Sequence, residues 1–228
     1  MPWAQSACAR PPIDLSIRRS GKNHSRATGT YSESATDVAF PFPVRADVVT
    51  SGMEIPFGIV TVSDRASAGI YDDKSGPAIE AVLRRWIESS WRKEYRLIPD
   101  SRSTIESTLR ELADVHFCPL IVTTGGTGPS PRDVTPEATM AVCARLLPGF
   151  GERMRAVSVQ TVPTAILSRQ IAGTRRGSLI INLPGKPAAI EECLGAIFAA
   201  IPYCMELIGG PRLKMSAAAP APFRPSGA

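Results

Sequence analysis

A short apolar run, Pro119-Leu120-Ile121-Val122, passes directly into Thr123-Thr124-Gly125-Gly126-Thr127-Gly128-Pro129, and no other stretch constrains the fold as much. The run reads as a buried strand. Glycine reaches φ > 0 and carries no Cβ, so backbone N–H groups at that strand's carboxyl end stay uncovered and can wrap a polyanion. Open parallel α/β sheets bind their ligands at this edge. Asp133 follows in Arg132-Asp133. A carboxylate beside a phosphate cradle repels phosphate unless a cation such as Mg²⁺ stands between them. The loop is not the Walker pattern, which needs four residues between its two glycines and then Lys-Ser/Thr. A glycine-rich turn with Asp133 near a helix cap is the plain alternative, and the loop alone does not separate the two.

From residue 56 onward the chain alternates strand and helix. Gly58-Ile59-Val60-Thr61-Val62 reads as a buried strand and leads into Ser63-Asp64-Arg65-Ala66-Ser67. A helix is expected from Ser75 as N-cap, with Pro77 in its first turn and Ile79, Val82, Leu83 and Trp86 on one face. Residues 95–99 form a short strand that ends at Asp100, and residues 103–115 a helix with Ile105, Leu109 and Leu112 inward. Further helices are expected from Pro136, with Thr135 as N-cap, and over residues 154–169. Residues 178–182 form a fourth strand, ending in Asn182-Leu183-Pro184-Gly185-Lys186-Pro187 before a last helix over 188–208. This alternation predicts an α/β fold, a mostly parallel sheet covered by helices on both faces. The loops at 63–67, 123–133 and 182–187 then converge with Asp100 on one edge of the sheet. Two aspartates, a glycine cradle and an Asn-x-Pro-Gly turn suit a nucleoside triphosphate bound with a divalent ion.

Composition bounds the rest. Of 228 residues, 43% are hydrophobic and 21% charged, which gives one domain and spare length. The formal charge of +5 is a mild lean toward anionic ligands. Its scattered basic residues, never interleaved with aromatics, do not make a nucleic-acid footprint. The five cysteines (Cys8, Cys118, Cys143, Cys193, Cys204) lack any C-x-x-C pair and are expected as free thiols in a reducing compartment. His24 and His116 form no usual zinc spacing with them. No apolar run reaches the length of a membrane span, so no membrane partner is expected. Residues 1–53 carry no hydrophobic period and are expected to be a disordered extension. A transit segment and a true start at Met53 remain open for it. The organised domain is placed at 54–212, with a loose Ala/Pro-rich tail over 213–228.

Several blocks occur together in one order. They are Ser63-Asp64-Arg65, Leu97-Ile98-Pro99-Asp100, the run from Thr123 to Pro129, Arg132-Asp133-Val134-Thr135-Pro136-Glu137, Pro148-Gly149-Phe150-Gly151-Glu152, Pro163-Thr164-Ala165-Ile166-Leu167-Ser168-Arg169 and Asn182-Leu183-Pro184-Gly185. In these the chain, over residues 56–212, resembles the molybdopterin adenylyltransferase family, MogA-like, whose domain also forms the G domain of gephyrin and of plant Cnx proteins.

The resemblance implies a three-layer α/β/α sandwich, a homotrimer, a cytoplasmic location and transfer of AMP from ATP to molybdopterin with Mg²⁺ and release of pyrophosphate. It places Asp100 and Asp133 as the catalytic, Mg²⁺-holding pair. It places Ser63, Asp64, Thr124, Gly125, Gly126, Thr127 and Gly128 around the nucleotide, Ser168 on the molybdopterin side, and Asn182, Pro184 and Gly185 in a nucleotide-contacting turn. Hand-over to a molybdenum insertase follows as a possible partnership. The chain lacks an insertion that many bacterial relatives carry between the equivalents of Glu192 and Ile197, and it has Lys186 where relatives often have a neutral amide. Rival readings are a MoaB-type or competence-damage-type domain with altered chemistry, and a scaffold like gephyrin's G domain. With only a short stretch after Arg212, the second domain that a scaffold usually carries is not expected.

Overall fold

The computed structural model describes residues 54–225. The expectations for the extension, including a start at Met53, lie outside the described residues. In chain order the strands are β1 (Ile55–Val62), β2 (Trp91–Ile98), β3 (Leu120–Thr124), β4 (Arg145–Leu146), β5 (Ala172–Arg175) and β6 (Ser178–Leu183). The helices are α1 (Asp64–Ser67), α2 (Ser75–Trp86), α3 (Arg102–Asp114), α4 (Thr135–Val142), α5 (Pro148–Ser158), α6 (Pro187–Ile197) and α7 (Ile201–Leu207). A 3₁₀ turn, Pro163–Leu167, follows α5 where a continuing helix was expected.

One six-stranded sheet runs β2-β1-β3-β6-β5-β4. β1 lies parallel to β2 and β3, and β3 parallel to β6. β5 and β4 continue as an antiparallel edge. That edge was not legible: β4 has two residues and β5 reads Ala-Gly-Thr-Arg, neither carrying an apolar run. The parallel strands alternate their side chains between two cores. Phe57 and Ile59 of β1 pack with Ile79, Leu83 and Trp86 of α2 and with Leu194 and Phe198. Val60 and Val62 point the other way, onto Ile105, Leu109 and Leu112 of α3 and Ala138 of α4. Two cores on opposite faces of one sheet make three layers, as expected.

Three local readings are corrected. Residues 187–207 are long and apolar enough to match a membrane span by composition, against the expectation of no such run. Their apolar side chains are spent on the core, with Ile190, Cys193, Leu194, Phe198, Ile201 and Met205 fully buried. The segment after α7 packs where a loose tail was expected. Leu213 is buried, the Lys214 carbonyl accepts from the Glu88 N–H at 2.9 Å, and Arg224 pairs with Glu206. Beneath that segment Trp91 is buried against Phe57, with the Arg84 guanidinium 3.8 Å from its ring centroid.

The third correction concerns caps. Thr135 starts α4, but its hydroxyl donates to the Gly125 carbonyl at 2.9 Å in place of capping. Ser75 does not cap α2 either. The Asp73 carboxylate takes that role, accepting from the N–H groups of Ser75 and Gly76 at 2.8 and 3.0 Å. It also accepts from the hydroxyls of Thr61 (2.8 Å) and Tyr95 (2.6 Å), so this cap ties α2 to β1 and β2. Burial alone would raise the Asp73 carboxyl, but these four donors outweigh it and hold it below the ordinary carboxylate value. The Tyr95 hydroxyl is pushed up to about 12, by burial first and then by Asp73. Because the folded value of Asp73 is depressed, its stabilisation is full above the ordinary carboxylate value and is lost as pH falls through the folded one. Asp73→Ala should therefore cost about 2 kcal/mol at neutral pH, a lost cap plus two unpaired hydroxyls. Urea denaturation of parent and variant should show the difference shrinking between about pH 5 and pH 2. A cost that stays constant across that range would contradict an ionised cap.

Candidate active site

From β1 the chain passes through α2 to β2 on one side, whereas β3 lies on the other. The crevice between the carboxyl ends of β1 and β3 is thus the sheet's switch point, where such folds bind ligands. The glycine loop crosses it. Gly125 has φ +99°, and a Cβ there would lie 2.2 Å from the Val62 carbonyl oxygen. Gly126 has φ +62°, and its Cβ would lie 2.4 Å from Thr135 Oγ1 and 3.1 Å from Asp100 Oδ1. Both positions demand glycine for steric reasons internal to the protein, before any phosphate is considered. The base of the loop is pinned by Thr124 Oγ1 donating to the Pro184 carbonyl (2.8 Å) and by the Thr135 N–H donating to the Gly126 carbonyl (3.1 Å).

Three aspartates gather beside it. The Asp64 N–H donates to Asp100 Oδ2 at 2.8 Å, and the Asp100 N–H donates back to Asp64 Oδ1 at 2.9 Å. This reciprocal pair locks the loop after β1 to the loop after β2. Asp133 Oδ2 accepts from the Ser130 N–H at 3.0 Å and faces Gly128, where a Cβ would sit 2.8 Å away. The Asp100 carboxyl is raised above its ordinary value, by burial first and then by the neighbouring charges of Asp64 and Asp133. The Asp64 N–H and Arg132 act in the opposite direction without cancelling this. Arg132 is exposed and only 3.9 Å from Asp64, a loose counter-charge. Among the described residues, no group of three or more His, Cys, Asp or Glu is arranged to hold a metal ion by itself. Asp100 and Asp133 fit a different donor set, since Mg²⁺ commonly uses one or two carboxylates, waters and substrate phosphates. The raised Asp100 carboxyl is what a cation there would relieve.

Beyond Gly125 opens a cleft of about 630 Å³, lined by Ser63, Tyr71, Asp73, Ser75, Thr124 and Gly185 among others. Ser63 Oγ and the Tyr71 hydroxyl are 2.9 Å apart, and Ser75 Oγ donates to the Gly185 carbonyl at 3.1 Å. The Arg65 guanidinium lies 5.1 Å from the Tyr71 ring. Sequence reasoning missed Tyr71, Asp73 and Ser75. The available signal was their position: Tyr71-Asp72-Asp73-Lys74 is a polar run that still belongs to the loop after β1, and Ser75 opens α2 at its end.

The structure brings together Ser63, Asp64, Asp100, Thr124, Gly125, Gly126, Gly128, Asp133 and Gly185 at this edge. Pro184 contributes its carbonyl as the anchor for Thr124. Thr127 is buried, with its carbonyl accepting from the Arg169 N–H at 2.8 Å. The Ser168 hydroxyl is buried without a partner. Asn182 departs from the expected nucleotide contact. It is fully buried under the loop, its amide donating to Thr123 Oγ1 and Thr139 Oγ1, both at 3.0 Å. Lys186 is exposed, and Cys118 is inert, its thiol pushed up to about 12 by burial.

A carboxyl with a raised folded value binds its proton more tightly in the folded state, so its cost to stability appears as pH rises through that value. Asp100→Asn removes the charge and keeps an acceptor for the Asp64 N–H. Its melting temperature should exceed the parent's at neutral pH, and the gain should vanish below about pH 4. Calorimetric scans across pH check this, and a variant less stable than the parent at neutral pH would contradict the charge crowding.

Residues 58–203 match the family model described as a probable molybdopterin binding domain. The molybdopterin adenylyltransferase of Helicobacter pylori strain J99 is 53% identical over 171 residues, covering 75% of this chain and 97% of that protein. The Escherichia coli K12 enzyme of the same name is 49% identical over 183 residues, covering 75% and 94%. Among solved structures, the molybdopterin biosynthesis enzyme MoaB of Thermus thermophilus aligns with TM-score 0.64 and 41% identity over 69% of this chain and 99% of that one. The Mog protein of Mycobacterium ulcerans aligns with TM-score 0.63 and 31% identity, over 68% and 99%. With about half of its residues identical over nearly the whole length of these relatives, the chain belongs to the molybdopterin adenylyltransferase family.

Proposed function

We propose that this protein adenylylates molybdopterin in molybdenum cofactor biosynthesis. An oxygen of the molybdopterin terminal phosphate attacks the α-phosphorus of ATP, a new P–O–P linkage forms, and the bond to the β-phosphate oxygen breaks to release pyrophosphate. The observation that carries the reading is the facing of the positive-φ glycine loop and the Asp100 and Asp133 carboxylates at the switch point. Adenylyl transfer is an in-line displacement in which positioning and neutralisation of charge do most of the work. The loop N–H groups bind phosphate oxygens and remain aimed at charge on the departing pyrophosphate. Ser63, Tyr71 and Gly185 line the cleft that takes the nucleoside, and the Ser168 hydroxyl, buried with no partner in the protein, supports a molybdopterin contact on that side. Asp100 and Asp133 would hold Mg²⁺, whose chemistry when bound is to neutralise phosphate charge.

A homotrimer suits the exposed Leu146, Ile166 and Leu167, and the product would pass to a molybdenum insertase. A cytoplasmic location suits the free Cys118, Cys143, Cys193 and Cys204. The alternative is a MoaB-type protein that binds molybdopterin without efficient transfer, favoured by the 41% identity to the Thermus protein.

Incubation with ATP, Mg²⁺ and molybdopterin should yield adenylylated product. Asp100→Asn and Asp133→Asn should each lower turnover by about two orders of magnitude or more under saturating Mg²⁺, the scale of losing one charge-stabilising group. Parent-like turnover in both would overturn the catalytic pair. Molybdopterin binding with no product from the parent would favour the MoaB-type reading.

A further inference from the structure

Arg169 immediately follows Ser168, and its bonds all run toward the glycine loop. Its backbone N–H donates to the Thr127 carbonyl at 2.8 Å, and its Nε to the Gly128 carbonyl at 2.7 Å. One terminal nitrogen donates to the Asp133 carbonyl and the other pairs with the Glu137 carboxylate at the start of α4. Inside the loop, the Asp133 N–H closes onto the Ser130 carbonyl and the Ser130 N–H onto Asp133 Oδ2. Among the described residues, the hydrogen bonds that tie residues 127–133 to the rest of the protein all come from Arg169. The other end of the strap is equally fixed. Arg155 Nη1 donates to the carbonyls of Ser168 (3.3 Å) and Gln170 (2.8 Å).

We infer that Arg169 is a positioning residue: it straps the 127–133 segment to Ser168, so that the Asp133 carboxylate and the Ser168 hydroxyl hold one fixed spacing. The inference deepens the proposed function and rests on it for the identity of the two substrates. Its chemical basis is the guanidinium fork. Two carbonyls flanking the loop and one carboxylate are reached by a planar group with divergent donors, which a lysine ammonium cannot reproduce. Because those donors are committed to protein acceptors, Arg169 does not serve as a phosphate clamp. The exposed, loosely held Arg132 is free for that work.

The position of Arg169 sets the expected kinetic signature. Loss of the fork leaves the base of the loop intact, since Gly125 and Gly126 keep their Thr135 and Leu183 anchors. Phosphate binding there persists, whereas Asp133 drifts relative to Ser168. A displacement of about 1 Å at a reacting centre costs on the order of 10²-fold in rate.

The test compares Arg169→Lys and Glu137→Gln with the parent by steady-state kinetics, circular dichroism and hydrogen exchange of the 127–133 amides. Arg169→Lys should lower kcat by about 10²-fold with KM for ATP changed by less than about threefold. Its far-ultraviolet spectrum should be unchanged and exchange should accelerate at residues 127–133 and not in α3. Glu137→Gln, which keeps an acceptor for the guanidinium, should lie between the two. Unchanged exchange at 127–133 in Arg169→Lys would overturn the strap. So would a raised KM for ATP at parental kcat, which would make Arg169 a substrate cation. Should the parent itself show no transfer, the proposed function fails, and the exchange comparison still decides whether Arg169 holds the loop.

Discussion

The passage of the Gly125 backbone across the Val62 carbonyl is the contact on which the site depends. With a Cβ there only 2.2 Å from that oxygen, any other residue would push the loop off the end of β1. Held down, the chain leaving β3 lies over the neighbouring strand and not out into solvent. Gly126 then comes within reach of Asp100, which arrives from β2 on the far side of β1. Thr135 closes the turn with both its N–H and its hydroxyl, so the start of α4 is aligned by the same two glycines. One close approach therefore joins loops from three parallel strands and the first turn of a helix.

The same edge holds two carboxylates in opposite electrostatic states. Asp73 has four donors and a depressed titration, and it secures α2 against β1 and β2. Asp100 has burial and two like charges, and its titration is raised. Environment alone assigns them different work, because a saturated carboxylate has nothing left for a ligand and a crowded one gains from a cation.

The parallel part of the fold was legible because its strands are continuous apolar runs, and the site was legible because each loop follows such a run. Ser63, Asp64, Asp100, Thr124–Gly126, Gly128 and Asp133 accordingly fall at the strand-end edge where the alternation placed their loops. The antiparallel edge was hidden, since Ala172 to Arg175 carries no pattern that a strand must have. Asp73 was hidden for another reason: it reads as one acid in a polar loop, and only the folded positions of Thr61 and Tyr95 make it a hub. Asn182 was misplaced because its neighbours Pro184 and Gly185 do reach the edge, while β-strand alternation turns Asn182 itself inward onto Thr123 and Thr139. The role of Arg169 was hidden inside its block, because apart from Glu137 its partners are backbone carbonyls, which a sequence does not display.

Loops that move an adenylyl group and loops that merely bind phosphate differ in where the phosphates of ATP end up. The most direct measurement is the fate of label in a single turnover, with ATP labelled at the α-phosphorus in one reaction and at the γ-phosphorus in another. Adenylyl transfer predicts that the α-label appears on molybdopterin and the γ-label in pyrophosphate, in equal amounts and only when molybdopterin is present. Release of the γ-label as inorganic phosphate, or of the α-label as free AMP with molybdopterin unlabelled, would contradict it.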